Sequence, residues 1–327
     1  MNTSKKVLLS GVKPTGKLHI GNYFGAVKQF IDMQDTYDNY VFIADYHAMT
    51  TVQNADTMKQ NIIDLAASYL AAGLKPENVC LFKQSDIAEV FELGWIFNCI
   101  TTMPYLERAH AYKDAMAKNK EINVGTFDYP MLMAADILIQ DADVVPVGLD
   151  QKQHVEYARD TAEKFNRIFG QAFKMPEPIL IKDLESIRGT DGQKMSKSYN
   201  NTIELFATYE ELKKVVMSIP TDSKGVADPK NPDECNVFAL HKLFATSDEL
   251  STLGGRYIKG EIGYKESKEI LLASMERMIL PIREKKNELL KNPSYIISLL
   301  EEGAKIAKER AVKKMNLVRK LVGTDIK

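Results

Sequence analysis

Lys6–Gly25 reads KVLLSGVKPTGKLHIGNYFG. Its apolar opening, Lys6–Gly11, has the length and composition of a buried strand. A turn holding Pro14 and Gly16 follows, and a helix is expected over Ile20–Asp35. A helix that opens at the end of a sheet strand presents free backbone N–H groups and a partial positive charge, which suits polyphosphate. His19 stands at the mouth of that helix and can donate to a phosphate oxygen, while Gly21 lets a ligand approach the backbone because no Cβ intervenes. Thr15 and Asn22 add neutral donors for phosphate or ribose. The spacing is neither GxGxxG nor GxxxxGKS, so the dehydrogenase and P-loop readings lose ground. On this stretch alone an ordinary strand-to-helix turn stays open.

Outward from it, apolar runs alternate with helical patterns. Tyr40–Tyr46 (YVFIADY), Val79–Phe82 and Val144–Val147 read as strands, and Thr57–Leu74, Ile87–Ile100 and Met131–Gln140 as helices. Strands separated by helices of this length predict an α/β fold, a Rossmann-like doubly wound parallel sheet with ligands at the carboxyl ends of its strands. After residue 200 the strand signal fades. Tyr209–Met217, Val237–Phe244, Lys265–Asn292 (interrupted at Pro281) and Ser294–Val322 are helical, and Pro220–Asp233 is a polar surface loop. The expected division is therefore 1–200 for the sheet domain and 201–327 for an all-helical C-terminal domain.

Composition bounds the function without naming it. The 327 residues are 45% hydrophobic and 27% charged, ordinary for a globular protein of about two domains. No apolar run approaches the roughly 18 residues of a membrane span, and the N-terminal stretch carries no secretory signal pattern, so neither a membrane partner nor secretion is expected. Cys80, Cys99 and Cys235 lie far apart without CxxC spacing, which fits a reducing cytoplasm better than a disulfide framework or zinc ribbon. The net charge of -1 announces no global field for nucleic acid, so any such contact must be a local patch.

Ile187–Ser198 reads IRGTDGQKMSKS. Gly189 and Gly192 flank an aspartate and lead into two lysines three apart, with serines beside them. Such a loop can bring mobile cations over a charged substrate and withdraw them for release. A solvated surface loop is the plainer alternative. HIGN and KMSKS together, in this order and context, resemble the HIGH and KMSKS signatures of class I aminoacyl-tRNA synthetases; only Asn22 departs from the first.

Further segments resemble bacterial-type tryptophanyl-tRNA synthetases. Asp128-Tyr129-Pro130 with Met131–Gln140 (MLMAADILIQ) is similar to the helix lining that family's tryptophan pocket, and Val144–His154 (VVPVGLDQKQH) to its GxDQxxH segment. Asp45-Tyr46-His47-Ala48 agrees as well, so the likeness is dense over 7–200. It implies a tryptophan pocket of His47, Met133, Asp136, Val145, Val147 and Gln151. It implies an ATP set of Lys13, Pro14, Thr15, Gly21, Asn22, Gly148, Leu149, Asp150, Ile187, Lys194, Met195, Ser196, Lys197 and Ser198. The chemistry agrees: Met133 and Asp136 share a helix face, the thioether suits a large ring, and an ionised carboxylate accepts from an indole N–H. Leu9, Lys13 and Leu149 depart from the family's usual residues, and RGTDGQ replaces the usual segment before KMSKS.

The implied reaction joins L-tryptophan to ATP as tryptophanyl-adenylate and passes the aminoacyl group to tRNA(Trp). His19, Lys194 and Lys197 are its catalytic residues, and Mg²⁺ rides on the phosphates without a protein cage. A cytoplasmic homodimer is implied, with Ile87–Leu106 as the helical interface insertion and the C-terminal domain binding the anticodon. No DNA partner is expected. Ala304–Lys320 is a basic amphipathic helix suited to RNA phosphates, with Ile306, Val312, Met315, Val318 and Val322 as its buried stripe. A tyrosine enzyme, a nucleotidyltransferase without tRNA and a non-catalytic binding paralogue remain as alternatives.

Overall fold

The structure, a computed structural model, describes residues 5–117, 122–148, 152–180 and 187–326. Its sheet has five parallel strands, β1 (Val7–Val12), β2 (Asp38–Ile43), β3 (Val79–Lys83), β4 (Val144–Val147) and β5 (Glu177–Leu180), in the order β3-β2-β1-β4-β5. The chain winds outward from β1 to β3, then crosses back to place β4 on the other side of β1. The carboxyl ends of β1 and β4 therefore flank the switch point, where open α/β sheets bind ligands. Lys13–Gly16 and Gly148 follow those two ends.

The chain forms two compact units. One comprises 1–16, 29–182 and 292–327, the other 17–28 and 183–291. This division differs from the expected boundary at 200, because the last helix, Pro293–Val322, packs on β3 in the sheet unit. Both sheet faces of that unit are buried; on one of them Val7, Leu9, Tyr40, Phe42, Val145 and Val147 alternate inward, and on the other Leu8, Val41, Ile43 and Leu81. Phe97, Met131, Ala134, Phe165 and Met315 cover them from four helices.

The expected stripe on the last helix holds at Met315 and Val318 and fails at Ile306. Ile306 is 52% exposed, and the packed face runs through Gly303, Ala307, Ala311, Lys314, Met315 and Val318. Small residues four apart let the helix backbone approach the strand closely. A Cβ at Gly303 would sit 1.9 Å from the Leu81 carbonyl oxygen, a backbone atom with nowhere to move. Three of the helix's cations are also used inward: Lys314 donates to the Ala172 carbonyl (2.7 Å) and pairs with Asp141, Arg310 packs on Tyr40, and Arg319 pairs with Glu92. Gly303→Ala is expected to force the helix off β3 and lower stability by about 3 kcal/mol, since overpacking against backbone relaxes poorly. Thermal unfolding checks this, and an unchanged midpoint would refute the close approach.

Several local readings change. Asp45–Ala48, read as strand end, is a helical turn, and β5 went unread because Pro178 interrupts its pattern. As an edge strand β5 tolerates the proline. The helix expected at Met131 begins at Val124, where the Asn123 side chain caps the Thr126 N–H at 2.8 Å, and Pro130 lies inside it. In the second unit Ser247–Lys259 is a helix despite Gly254-Gly255, started by a capping box between Thr246 and Glu249. Tyr264–Leu290 runs through Pro281, which sits on its exposed side where water can meet the missing bond.

Candidate active site

The sheet unit carries a buried polar cluster where β2 and β3 end. Asp45 accepts from the Ser85 N–H (3.0 Å) and hydroxyl, lacing the two strand ends together. The next residues are then fixed. His47 Nε2 lies 3.0 Å from Asp136 Oδ2, and Gln84 Nε2 donates to both Asp136 oxygens at 3.1 and 2.9 Å. The Gln84 carbonyl in turn accepts from the His47 backbone N–H at 3.2 Å. Asp136 is 4% exposed, and burial raises its pKa against the opposing hydrogen bond from His47.

Tyr129, Met133 and Asp136 follow one another at helical spacing and share a face. The Tyr129 ring meets the His47 ring edge-on at 6.4 Å, its hydroxyl lies 3.1 Å from His154 Nε2, and the Lys13 ammonium stands 5.9 Å from its centre. Met133 is half-buried against the core to which Val145, Val147 and Leu9 belong. Pro14 is buried, and the Thr15 N–H closes a tight turn on the Lys13 carbonyl at 2.9 Å. Of the expected pocket and nucleotide residues, Leu149, Asp150 and Gln151 lie outside the described residues. Gln84 and Tyr129 were not among the expected site residues. The signal available for Gln84 was its place one residue beyond a strand's carboxyl end.

The second unit brings HIGN and KMSKS together. His19 is the N-cap of the short helix Ile20–Asn22: its Nδ1 accepts from the Asn22 N–H at 3.2 Å, and the Asn22 side chain accepts from the His19 N–H. Burial and then the nearby Lys197 charge press the His19 pKa down to about 4, so its ring is neutral at pH 7. With Nδ1 an acceptor, the proton resides on Nε2, which makes His19 a neutral N–H donor.

The KMSKS loop rests on this turn through Met195, which is 5% exposed and whose sulfur accepts from the Gly21 N–H at 3.3 Å. Lys194 and Lys197 are exposed. The Ser196 hydroxyl caps the turn Lys197–Tyr199 by accepting from the Ser198 N–H, and the Ile187 carbonyl accepts from the Met195 N–H at 2.8 Å. The unit therefore offers the His19 Nε2–H and two exposed ammonium groups, with Glu204 near enough to act on the Lys197 charge, and the donors match phosphate oxygens.

The family of class I tRNA synthetases for tryptophan and tyrosine (W and Y) matches residues 1–279, and the chain belongs to it. The tryptophan–tRNA ligase of Fusobacterium nucleatum is 49% identical over 316 residues, 96% of this chain and 97% of that protein. That of Campylobacter jejuni is 46% identical, over 97% of this chain and 99% of that one. The crystal structure of tryptophanyl-tRNA synthetase from Campylobacter jejuni complexed with ADP and tryptophan has a TM-score of 0.92 at 45% identity, covering 97% of this chain and 99% of that chain. Within the family the chain stands among the bacterial tryptophan–tRNA ligases.

Proposed function

We propose that this tryptophan–tRNA ligase activates L-tryptophan with ATP and charges tRNA(Trp) through the residues described above. The observation that carries the residue roles is the buried Asp136 carboxylate, held by His47 and Gln84 on the same helix face as Tyr129 and Met133. A carboxylate so fixed accepts from the indole N–H, and Met133, Val145 and Val147 take the ring by apolar contact. Lys13, Pro14, Thr15 and Gly148 stand beyond the switch-point strands and are assigned to ATP, as are Leu149 and Asp150; Gln151 is assigned to tryptophan. His19 holds a phosphate oxygen through its Nε2–H, with Asn22 beside it and Gly21 leaving room for the approach, Ile187 meets the adenine, and Met195, Ser196 and Ser198 shape the loop.

In the first step the tryptophan carboxylate attacks the α-phosphorus of ATP, and pyrophosphate leaves with the electron pair of the broken bond. Lys194 and Lys197 meet the charge that develops on it, which is positioning and electrostatic work with no covalent part for the protein. A hydroxyl of the tRNA 3′-terminal ribose then attacks the adenylate's carbonyl carbon and gives up its proton, and AMP leaves with the electron pair of the broken C–O bond. Mg²⁺ is assigned to the ATP phosphates, where it neutralises charge. Among the described residues no group of three or more His, Cys, Asp or Glu side chains gathers to cage it.

The helical part of the 183–291 unit is assigned to the anticodon, in place of the whole of 201–327. The last helix offers RNA only Lys305, Lys308, Lys313 and Lys320 as exposed cations, interspersed with Glu301, Glu302 and Glu309. A homodimer is proposed through the Ile87–Leu106 stretch, where Trp95 is 70% and Met103 61% exposed on an otherwise well-packed element. A cytoplasmic location follows from this activity and suits three unpaired cysteines. Among the described residues no helix is long and apolar enough to cross a membrane.

Pyrophosphate exchange into ATP, run with each of the twenty amino acids, tests the reading. Exchange with tryptophan alone is expected. Exchange with tyrosine would overturn the pocket assignment, and silence from folded protein with every amino acid would make the chain a binding paralogue.

A further inference from the structure

Asn201 is 2% exposed and lies just past the KMSKS loop. Its side-chain carbonyl accepts from the Ser196 N–H at 2.8 Å, and its amide donates to the Lys194 carbonyl at 3.0 Å and to Asp191 Oδ1 at 2.8 Å. Its own backbone carbonyl accepts from the Thr190 N–H at 3.0 Å. Gly189 completes the fit, since a Cβ there would lie 2.4 Å from the Asn201 side chain.

The two backbone groups that the side chain satisfies belong to the peptides on either side of Met195. An amide that both donates and accepts across one residue replaces a neighbouring strand and fixes that residue's direction. Met195 is thereby driven inward to the Gly21 N–H, while Lys194 and Lys197, one before and two after it, are turned out to solvent. We propose that Asn201 is the positioning residue of the loop: by clamping the peptides that flank Met195 it sets where both lysines can reach. Its side chain touches no substrate; it acts through Lys194 and Lys197, so the inference rests on the role proposed for them.

Only asparagine makes all three bonds at this size. Aspartate keeps the acceptor for Ser196 but loses both donations and sets a second carboxylate against Asp191. Alanine loses everything.

The test is ATP–pyrophosphate exchange with separate determination of kcat and of KM for ATP and tryptophan, beside equilibrium tryptophan binding. Asn201→Ala is expected to lower kcat/KM for ATP by about 30-fold through loss of its three bonds. The KM and Kd for tryptophan should stay within about twofold, since that pocket is built from other residues. Asn201→Asp, which preserves shape, should lose a similar amount, and adding Asp191→Asn should recover part of that loss but none of the loss in Asn201→Ala. A parallel fall in tryptophan affinity, or full exchange in the folded Asn201→Asp protein, would overturn the assignment. Lys194→Ala and Lys197→Ala are run alongside. Full rates there would remove the loop's role altogether, whereas lost rates there with full rates in the Asn201 variants would remove only Asn201.

Discussion

Lys197→Ala is expected to slow adenylate formation by about 10²–10³-fold, and Lys194→Ala by a similar factor, the range found when one preorganised group facing transition-state charge is removed. The loss should fall on kcat, with tryptophan binding unchanged, because the departing pyrophosphate carries its extra charge only as the bond breaks. The double variant should lose less than the product of the two, since both cations serve one leaving group. A second route to lost rate can be separated by pH. Burial, more than the Lys197 charge, keeps the His19 pKa near about 4, so His19 stays neutral above pH 5.5 with or without the lysine. The ratio of parent to variant rate should accordingly be flat between about pH 5.5 and 8. A ratio that shrinks toward neutral pH would mean that the lysine acts by holding His19 neutral.

Signatures whose chemistry is local in sequence were legible. HIGN reads as a helix opening because the cap, the glycine and the helix are contiguous, and the structure places its histidine as that cap. The parallel sheet followed from alternation alone for four of its strands, and the fifth was lost to Pro178 at the edge. What stayed hidden depends on partners distant in sequence. Gln84 looks like any strand-end glutamine until β3 is laid beside β2 and Asp136 arrives from a helix 52 residues on. Asn201 reads as loop polarity, because nothing in SYNN reveals that its amide folds back onto Lys194 and Ser196. Tyr129 was seen as part of a resemblance but not as a wall, because the helix was expected only from Met131 and in fact begins at Val124. Which cations of the basic tail turn inward stayed hidden for a related reason. Charge counting cannot tell Lys314, buried against Asp141 and Phe173, from Lys313, which faces solvent.

Asp136→Asn is expected to lower kcat/KM for tryptophan by about a hundredfold while leaving the KM for ATP within a few-fold. A neutral acceptor for the indole N–H forfeits the charge-assisted part of that bond, worth about 1.5–3 kcal/mol. The same change should not weaken the fold. Burial raises the Asp136 pKa above its ordinary value of 3.8, so the folded protein holds this proton more tightly than the unfolded chain does. Stability contributed by the protonated form is fully present below that ordinary value and is lost as pH climbs through the raised one, which makes the charge at neutral pH a cost to folding. Asparagine removes that cost and keeps the shape. Its carbonyl keeps one of the two bonds from Gln84, the other being lost where the amide replaces Oδ2, and that amide donates to His47 Nε2 once the imidazole carries its proton on the other nitrogen. The melting temperature of Asp136→Asn should therefore match the parent near pH 4 and equal or exceed it at pH 7. A structural carboxylate would behave in the opposite way, with the variant melting lower at pH 7 and tryptophan kinetics falling only as far as the folded fraction. Activity lost while stability holds or rises marks a group retained for its substrate, and that divergence separates a substrate-binding carboxylate from a helix residue satisfied by its neighbours.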